Sequence, residues 1–338
     1  MSKHHADSEK ERIVIAGGSG FLGKALASAL SERGYEPVVL SRSPHLWRGP
    51  GYAVKWDGET LEGGWARELD GARAMVNLTG KSVDCRRTRR NREEILSSRI
   101  NSTRVLGEAL RQTFRPPEVW IQASSLAIYG NAGDRMCDEA GFVPDEFPTD
   151  VVRAWEAELG TAIRPEMRWA VLRIGFVLGR QGGALPTLAR LARNGFGGTI
   201  GSGRQWISWL HEDDMVRLFI EAIENQSVNG ICNASGLQPV TNAEFMAALR
   251  RVVGAPVGIP TPSWLVRSVA PLIDTDPDLA LNGRRGLPCR IHGLGFRFHH
   301  HELEDALVDL LIEPQTSRPG RASKGSRSTG RLVQGYAR

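Results

Sequence analysis

A glycine-rich turn near the start of the chain has the residue types and spacing of a phosphate cradle. It reads Gly17-Gly18-Ser19-Gly20-Phe21-Leu22-Gly23, directly after the β-branched run Arg12–Ala16 and before the helical pattern Lys24–Arg33. Glycine permits a tight turn and close approach of the main chain to a phosphate, and the free N–H groups at a helix start bind an anion. Strand, glycine turn and helix in this order predict a site for a dinucleotide pyrophosphate, against the alternative of a turn without a ligand. The predicted contacts are Gly17, Ser19, Gly20, Phe21, Leu22 and Gly23.

The residues that end the second predicted strand indicate which dinucleotide is bound. An acid at this point binds the ribose 2′-hydroxyl, whereas an arginine accommodates a 2′-phosphate through paired hydrogen bonds. Ser41 and Arg42 stand there, and Arg42 lies 19 positions after Gly23, close to the usual spacing of about 20. No acid occurs between Glu36 and Asp57. We therefore predict NADP(H), with Ser41 and Arg42 as contacts; the alternative is that Arg42 is a solvated loop residue.

A third predicted cofactor segment ends the fourth strand. Ligands of open α/β sheets bind at the carboxyl edge of the strands, which is where Leu78, Thr79 and Gly80 lie. Arg99 and Thr103 are one helical turn apart, and we expect Arg99 to face the same crevice. The alternative for Leu78 to Gly80 is an ordinary strand exit.

The elements that position these residues alternate between strand-like and helix-like segments from residue 12 onward. This order predicts parallel strands joined by crossover helices, and the apolar continuity of most strands indicates a sheet covered on both faces. The fold class is an α/β Rossmann-type doubly wound parallel sheet with a smaller C-terminal substrate lobe. The predicted strands are Ile13–Ala16, Pro37–Leu40, Tyr52–Trp56, Ala74–Leu78, Val119–Ser124 and Trp169–Ile174. The predicted helices of this part are Lys24–Arg33, Arg92–Gln112 and Asp150–Ala162.

The pattern changes after residue 180, where a glycine-rich stretch precedes Trp206-Ile207-Ser208-Trp209-Leu210. We predict that a substrate lobe begins there. The expected organisation is a disordered N-terminus (1–11), a dinucleotide-binding domain (12–180) to which later segments return, a substrate lobe with a C-terminal extension (181–312), and a disordered basic tail (313–338).

Composition excludes several classes of partner. The net charge is +5, and residues 313–338 hold six basic residues against one acid, so the rest of the chain is neutral and no nucleic-acid-binding face is expected. No apolar run approaches the roughly 18 residues of a membrane span. The four cysteines are widely spaced, which is typical of reduced thiols in the cytoplasm. We expect no metal, because His4-His5 and His299–His301 have no acid or cysteine at a zinc-like spacing and are interpreted as solvated surface.

Several further motifs occur in one order along the chain. They are Leu40-Ser41-Arg42, Asn77-Leu78-Thr79-Gly80, Ser98-Arg99-Ile100, Ser124-Ser125-Leu126-Ala127-Ile128-Tyr129-Gly130, Trp155-Glu156, Leu172-Arg173-Ile174-Gly175, Gly201-Ser202-Gly203-Arg204-Gln205 and Trp209-Leu210-His211-Glu212-Asp213-Asp214. With them, residues 12–312 resemble the extended short-chain dehydrogenase/reductases, and among these the atypical, sugar-nucleotide epimerase-like group labelled epimerase family proteins. Gly295-Phe296-Arg297-Phe298 is similar to the C-terminal extension of this group. The resemblance implies NADP(H) and an epimerase or oxidoreductase activity.

The resemblance also identifies candidate catalytic residues, and one absence. Members that transfer hydride use a Tyr-x-x-x-Lys pair, in which the lysine lowers the pKa of the tyrosine. This chain has no such pair, and Pro148 and Val152 stand where the family would place it. Ser124 matches the active-site serine, which also faces the cofactor. Tyr129 is the tyrosine predicted nearest to it, either as a proton donor or as part of a structural turn.

The expected substrate contacts are Arg173, Gln205 and Trp206, although Trp206 is equally compatible with packing inside the lobe. Two functions stay open. The first is an NADP(H)-dependent epimerase or oxidoreductase acting on a small molecule of the nucleotide-sugar kind, in a monomer or a homodimer. The second is a catalytically silent NADP(H)-binding protein with a regulatory or assembly role, because the fold alone does not fix the function.

Overall fold

The computed structural model describes residues 10–312. Its strands are β1 (Arg12–Ala16), β2 (Glu36–Ser41), β3 (Tyr52–Lys55), β4 (Ala74–Asn77), β5 (Val119–Ser125), β6 (Met136–Cys137), β7 (Arg168–Ile174), β8 (Phe176–Leu178), β9 (Trp206–Ile207), β10 (Trp209–His211), β11 (Gly230–Ala234), β12 (Val240–Thr241) and β13 (Arg285–Gly286). Its α-helices are α1 (Phe21–Glu32), α2 (Arg89–Gln112), α3 (Phe147–Ala162), α4 (Leu185–Leu191), α5 (Glu212–Glu224), α6 (Asn242–Val253), α7 (Ser263–Val269), α8 (Asp278–Leu281), α9 (Cys289–Gly293) and α10 (Leu303–Leu311).

Seven of the strands form one parallel sheet in the order β11-β7-β5-β4-β1-β2-β3. In its centre Ile15 pairs with Val39 of β2 on one side and with Val76 of β4 on the other. From β1 the chain first adds β2 and β3 on one side of the sheet, and it then adds β4, β5, β7 and β11 on the other side. The direction of strand addition therefore reverses between β1 and β4. In such sheets, ligands bind in the crevice at the carboxyl ends of the two strands that flank this reversal. The predicted doubly wound α/β fold is confirmed.

Both faces of the sheet are buried, as the apolar strands predict. Side chains alternate along a strand, and in β1 Ile13 and Ile15 enter the core on the face of α1 and α5, whereas Val14 and Ala16 enter the core on the face of α2 and α3. All four side chains are fully buried. The central strands are therefore rigid supports for the loops at their carboxyl ends.

A separate core joins α4, α6 and α10, with Leu185, Phe245 and Leu307 among its fully buried residues. This lobe is not continuous in sequence, because α5 and β11 return to the main sheet. The predicted basic tail (313–338) and all but the last two residues of the predicted N-terminal segment (1–11) lie outside the described residues. Within residues 10–312, none of the helices is long and apolar enough to cross a membrane.

Candidate functional site

The glycine turn between β1 and α1 has little room for side chains on its inner side. Gly17 has a φ of +74°, which favours glycine. A Cβ on Gly23 would lie 2.4 Å from the Cα of Gly18, so the first turn of α1 packs directly on the loop. Around Gly20, in contrast, the nearest atom to such a Cβ would be 3.5 Å away. No side chain caps α1 at its start, and its first N–H groups therefore remain available to an anion above Gly20.

The end of β2 meets the glycine turn through two hydroxyl groups. Ser41 Oγ donates to Ser19 Oγ at 3.2 Å, and the N–H of Ser43 donates to Ser41 Oγ at 3.2 Å. Arg42 follows at the surface, with its carbonyl accepting a hydrogen bond from the amine of Lys55. Within residues 10–312 the guanidinium of Arg42 has neither a hydrogen bond nor an ion pair. An exposed, unpaired cation thus lies next to the turn that Gly17 begins.

The end of β4 touches the glycine turn from the other side. A Cβ on Gly17 would lie 3.1 Å from the Cα of Thr79. The side chain of Asn77 holds this strand exit: its Oδ1 accepts from the N–H of Thr79 at 3.0 Å, and its Nδ2 donates to Gln122 at 3.2 Å. The hydroxyl of Thr79 is buried and has no hydrogen-bond partner among the described residues. Because buried hydroxyls are normally satisfied, this one fits a polar group of a ligand in the crevice.

Arg99 lies against the same loop. A Cβ on Gly80 would be 3.0 Å from the Arg99 Cζ, and Arg99 Nη1 donates to the carbonyls of Lys81 at 3.1 Å and Ile95 at 2.9 Å. The guanidinium also stacks 5.0 Å from the ring centroid of Trp155. Burial lowers the pKa of Arg99 to about 10. The structure thus brings this predicted contact to the crevice, where it holds the loop in place.

Ser124 ends β5 beside a buried ion pair. Its Oγ donates to Glu156 Oε1 at 2.6 Å, and Arg173 donates to the same carboxylate twice, from Nε at 2.9 Å and from Nη2 at 2.8 Å. Burial by itself lowers the pKa of Arg173, but the hydrogen bonds and the charge of Glu156 raise it above the ordinary value. The arrangement can hold a proton on Ser124 Oγ and leave the lone pairs of this oxygen open to a donor.

Tyr129 is fully buried, and its hydroxyl is used within the protein. It donates to Asn233 Oδ1 at 2.9 Å and accepts from Arg173 Nη1 at 3.0 Å. Asn233 in turn donates to the carbonyls of Cys137 and Leu287. Burial raises the pKa of Tyr129, although the neighbouring Arg173 acts in the opposite direction.

Comparison with family models covers most of the described chain. Residues 13–234 match the NAD dependent epimerase/dehydratase family, which spans the sheet and the residues around Ser124. The chain belongs to this family. Residues 261–310 match a second model, a domain of unknown function (DUF1731). The resemblance that the motifs indicated is confirmed.

Curated relatives align with the chain along almost their whole length. The epimerase family protein YfhF of Bacillus subtilis is 32% identical over 308 residues, which are 90% of this chain and 99% of the relative. The epimerase family protein SDR39U1 of Mus musculus is 35% identical over 309 residues, which are 89% and 99% of the two chains.

Two solved structures are similar in fold and in sequence. Human SDR39U1, crystallised with NADPH, has a TM-score of 0.79 at 31% identity and covers 88% of this chain and 98% of its own. A nucleoside-diphosphate sugar epimerase from Corynebacterium glutamicum has a TM-score of 0.71 at 28% identity and covers 90% and 58% of the two chains.

The resemblance places the Tyr-x-x-x-Lys pair at the start of α3, where this chain has Pro148 and Val152 instead. Pro148 occupies the first turn of the helix and Val152 is buried, so neither supplies a proton. One turn further along the same helix face stands Glu156. The sequence reasoning gave Glu156 no role, although its spacing of four residues from Val152 was a usable signal. Asn233 was also not predicted as a site residue. It could have been recognised as the one polar side chain in the otherwise apolar β11.

Two of the three predicted substrate contacts lie in the lobe. Gln205 Nε2 donates to the carbonyls of Ile200 at 2.8 Å and Ala280 at 2.9 Å, so its amide nitrogen connects lobe segments. Trp206 is half-buried, and its Nε1 donates to Asp134 Oδ1 at 2.9 Å. Arg173, the third, lies at the carboxyl end of β7, where it pairs with Ser124 of β5.

Replacing Tyr129 with phenylalanine tests whether its hydroxyl is structural. The change leaves Arg173 Nη1 and Asn233 Oδ1 without this partner in a buried place, and we expect the free energy of unfolding to fall by about 1–3 kcal/mol. Urea unfolding measures it. Tyr35→Phe is the matched control: its hydroxyl donates to Glu224 at an exposed site, and the expected change is within about 0.5 kcal/mol. Equal effects of the two variants would contradict the structural role.

The prediction that His299–His301 are solvated surface is wrong for His300. His300 stacks on His211, with ring centroids 3.6 Å apart and ring planes 13° apart. His211 Nε2 lies 3.1 Å from Asp309 Oδ2, and its Nδ1 accepts from the N–H of Asp213 and so caps α5. Burial lowers the pKa of His211 to about 4. One ring nitrogen each of His211 and His300 and a carboxylate oxygen of Asp309 lie within 4.8 Å of one another, so the expectation of no metal at these histidines stays a prediction.

The basic run that leads α2 divides into two groups. Arg89 and Arg90 are exposed and pair with acids one turn along the helix. Arg87 pairs with two acids far away in sequence: its Nη2 lies 2.7 Å from Asp276 Oδ2 and its Nη1 lies 2.8 Å from Asp278 Oδ2. This ion pair joins the loop after β4 to the C-terminal extension.

Proposed function

We propose that this chain binds NADP(H) at the carboxyl edge between β1 and β4 and uses it as an oxidoreductase or epimerase of a small molecule of the nucleotide-sugar kind. The observation that carries the cofactor is the unpaired guanidinium of Arg42 beside the linked hydroxyls of Ser19 and Ser41. The orphaned hydroxyl of Thr79 at the same crevice supports it, as does the NADPH in human SDR39U1. Four cysteines without disulfides support the cytoplasm as its compartment.

The residues present fit such a dinucleotide. The turn from Gly17 to Gly23 would hold the pyrophosphate, Arg42 the 2′-phosphate, and Leu78 to Gly80 the neighbouring part of the molecule. When bound, the nicotinamide supplies or accepts a hydride.

The chain's own part in the chemistry centres on Ser124. Its proton points to Glu156, so its oxygen is free to accept a hydrogen bond from a substrate hydroxyl and to orient it. Arg173 holds the carboxylate by two hydrogen bonds and keeps Glu156 in reach of Ser124. We assign Tyr129 to positioning Arg173, because both of its hydrogen bonds lie inside the protein.

A catalytically silent NADP(H)-binding protein is the second candidate. Pro148 and Val152 in place of the tyrosine–lysine pair favour it, since neither side chain ionises. The two candidates share the cofactor site and differ only in whether a substrate reacts above Ser124.

The absorbance of NADPH distinguishes these functions in a screen of sugar nucleotides and simple carbonyl compounds. For an oxidoreductase we expect oxidation of NADPH by the wild-type protein, and a rate at least about 100-fold lower for Ser124→Ala, because the hydroxyl that orients the substrate is lost. Chromatography of the recovered sugar nucleotides detects an epimerase, which consumes no net cofactor. Turnover that is unchanged in Ser124→Ala would reject the role of Ser124, and NADPH binding without turnover of any compound would favour the silent protein.

A further inference from the structure

Large apolar side chains are exposed in one part of the lobe. Of those exposed among residues 10–312, half lie in two short segments, 191–196 and 257–279. The second segment contains α7, in which none of the residues is buried. Exposed apolar side chains that cluster in this way mark an interaction site.

The fold places these two segments side by side. The N–H of Ile259 donates to the carbonyl of Gly195 at 2.9 Å, and the N–H of Thr261 donates to the carbonyl of Thr199 at 2.9 Å. Phe196 therefore lies beside the main chain of Ile259, and α7 begins two residues after Thr261. The exposed apolar residues on and next to the paired segments form what we call the lobe patch: Phe196 (56% exposed), Val257 (63%), Ile259 (54%) and Trp264 (68%).

The charge around the lobe patch is positive. Residues 181–211 and 245–273 contain six arginines and no acid. Arg190 lies in the last turn of α4, and Arg193 lies three residues before Phe196. Both side chains are exposed, and within the described part of the chain neither guanidinium has a hydrogen bond or an ion pair. Because the chain without its basic tail is neutral, this area carries a local excess of positive charge.

Cations beside exposed apolar side chains are suited to the surface of an anionic lipid bilayer. Arginines attract the phosphate groups of the lipids, tryptophan lies at the level of the headgroups, and aliphatic side chains enter the boundary of the acyl chains. We propose that the lobe patch binds the surface of a bilayer that contains anionic phospholipids. Such contact involves no spanning helix. The sequence did not predict it, because Phe196 and Trp264 are far apart in the chain and only the fold brings their segments together.

Two other partners fit the lobe patch less well. A second copy of the chain, bound by two-fold symmetry, would place the unpaired arginines of both copies in one interface, where like charges repel each other. A nucleic acid binds through aromatic rings on which its bases stack, whereas Val257 and Ile259 are aliphatic.

Flotation of the full chain with phospholipid vesicles tests this proposal independently of the cofactor site. The vesicles contain phosphatidylcholine alone or an equal mixture of phosphatidylcholine and phosphatidylglycerol. We expect binding to the mixed vesicles only, and weaker binding as the salt concentration is raised. Arg190→Gln/Arg193→Gln is expected to weaken this binding by about tenfold or more, because two charges at the anionic surface are lost. Trp264→Ala is expected to weaken it by about fivefold, because the ring at the headgroup level is lost.

Matched controls come from α2, which packs on the sheet. Arg104→Gln/Arg111→Gln removes the same charge, and Phe114→Ala removes a ring that is 91% exposed. We expect both controls to change the affinity by less than about twofold, and the basic tail is the same in every variant. All the substituted side chains are exposed, so the Tm of each variant is expected to match that of the wild type. Losses in the controls as large as those in the patch variants, or no binding to the mixed vesicles, would overturn the proposal.

The two other partners are tested with the same variants. Light scattering of the protein without lipid is expected to give the same mass for the wild type and for Trp264→Ala. A wild-type dimer that Trp264→Ala converts to a monomer would show that a second copy covers the lobe patch. Tighter binding to a single-stranded DNA oligonucleotide than to the mixed vesicles, lost in Arg190→Gln/Arg193→Gln, would assign the patch to nucleic acid. Either of these two results would overturn the proposal.

Discussion

Glu156→Gln is expected to lower the free energy of unfolding by about 3–5 kcal/mol, a large part of the stability of an ordinary domain. The side chains of Arg173 and Glu156 are only 7% and 13% exposed. Glutamine keeps the shape but removes the charge, so Arg173 remains buried without its anion. Ser124 Oγ also loses its charged acceptor at 2.6 Å. Urea unfolding followed by circular dichroism measures the change.

Glu93→Gln provides the matched control, because Glu93 pairs with Arg89 on the exposed face of α2. Its expected effect is within about 0.5 kcal/mol. The double variant Glu156→Gln/Arg173→Met removes both members of the buried pair and is expected to recover much of the stability, since no charge is left unpaired. If Glu156→Gln lowers the free energy of unfolding no more than Glu93→Gln does, the buried ion pair does not stabilise the ends of β5 and β7.

Arg42→Glu is expected to weaken NADPH binding by about 100-fold or more and to leave NADH binding nearly unchanged. The variant removes the guanidinium that pairs with the 2′-phosphate and places a carboxylate where it repels this group. NADH has a hydroxyl at this position, which a carboxylate accepts. Fluorescence titration with the two reduced dinucleotides measures both affinities.

Arg48→Glu is the control for this change. It alters the net charge equally on the neighbouring turn, but its guanidinium donates to the carbonyls of His45 and Trp47 and is occupied there. We expect less than about a threefold loss of NADPH affinity, since exposed charges are screened by salt. A similar loss in both variants would mean that Arg42 acts only through the overall charge.

The sheet and the glycine turn were predictable because their signals are local. Apolar runs of strand length predicted the bounds of β1 and β4 to within one residue. A glycine-rich turn between a strand and a helix is typical of a dinucleotide site. The start of α1 was placed late, at Lys24, because glycine normally breaks a helix. In the structure α1 begins at Phe21, and Gly23 lies inside it, where contact with Gly18 leaves no room for a Cβ.

The network around Ser124 could not be predicted, because its members are far apart in sequence. Glu156 and Asn233 reach Ser124 and Tyr129 only after α3 and β11 have packed against β5 and β7. The same holds for Arg87, whose partner Asp276 lies in the C-terminal extension. Each side chain is ordinary in its local context, and its role depends on a contact that only the tertiary structure creates.

The most direct test of the account is the ratio of NADPH and NADH affinities for the unmodified full chain, measured by isothermal titration under one salt condition. Arg42 is unpaired and next to Ser41 at the end of β2, so we expect NADPH to bind at least about tenfold more tightly than NADH. Equal affinities, or a preference for NADH, would contradict the NADP(H) site.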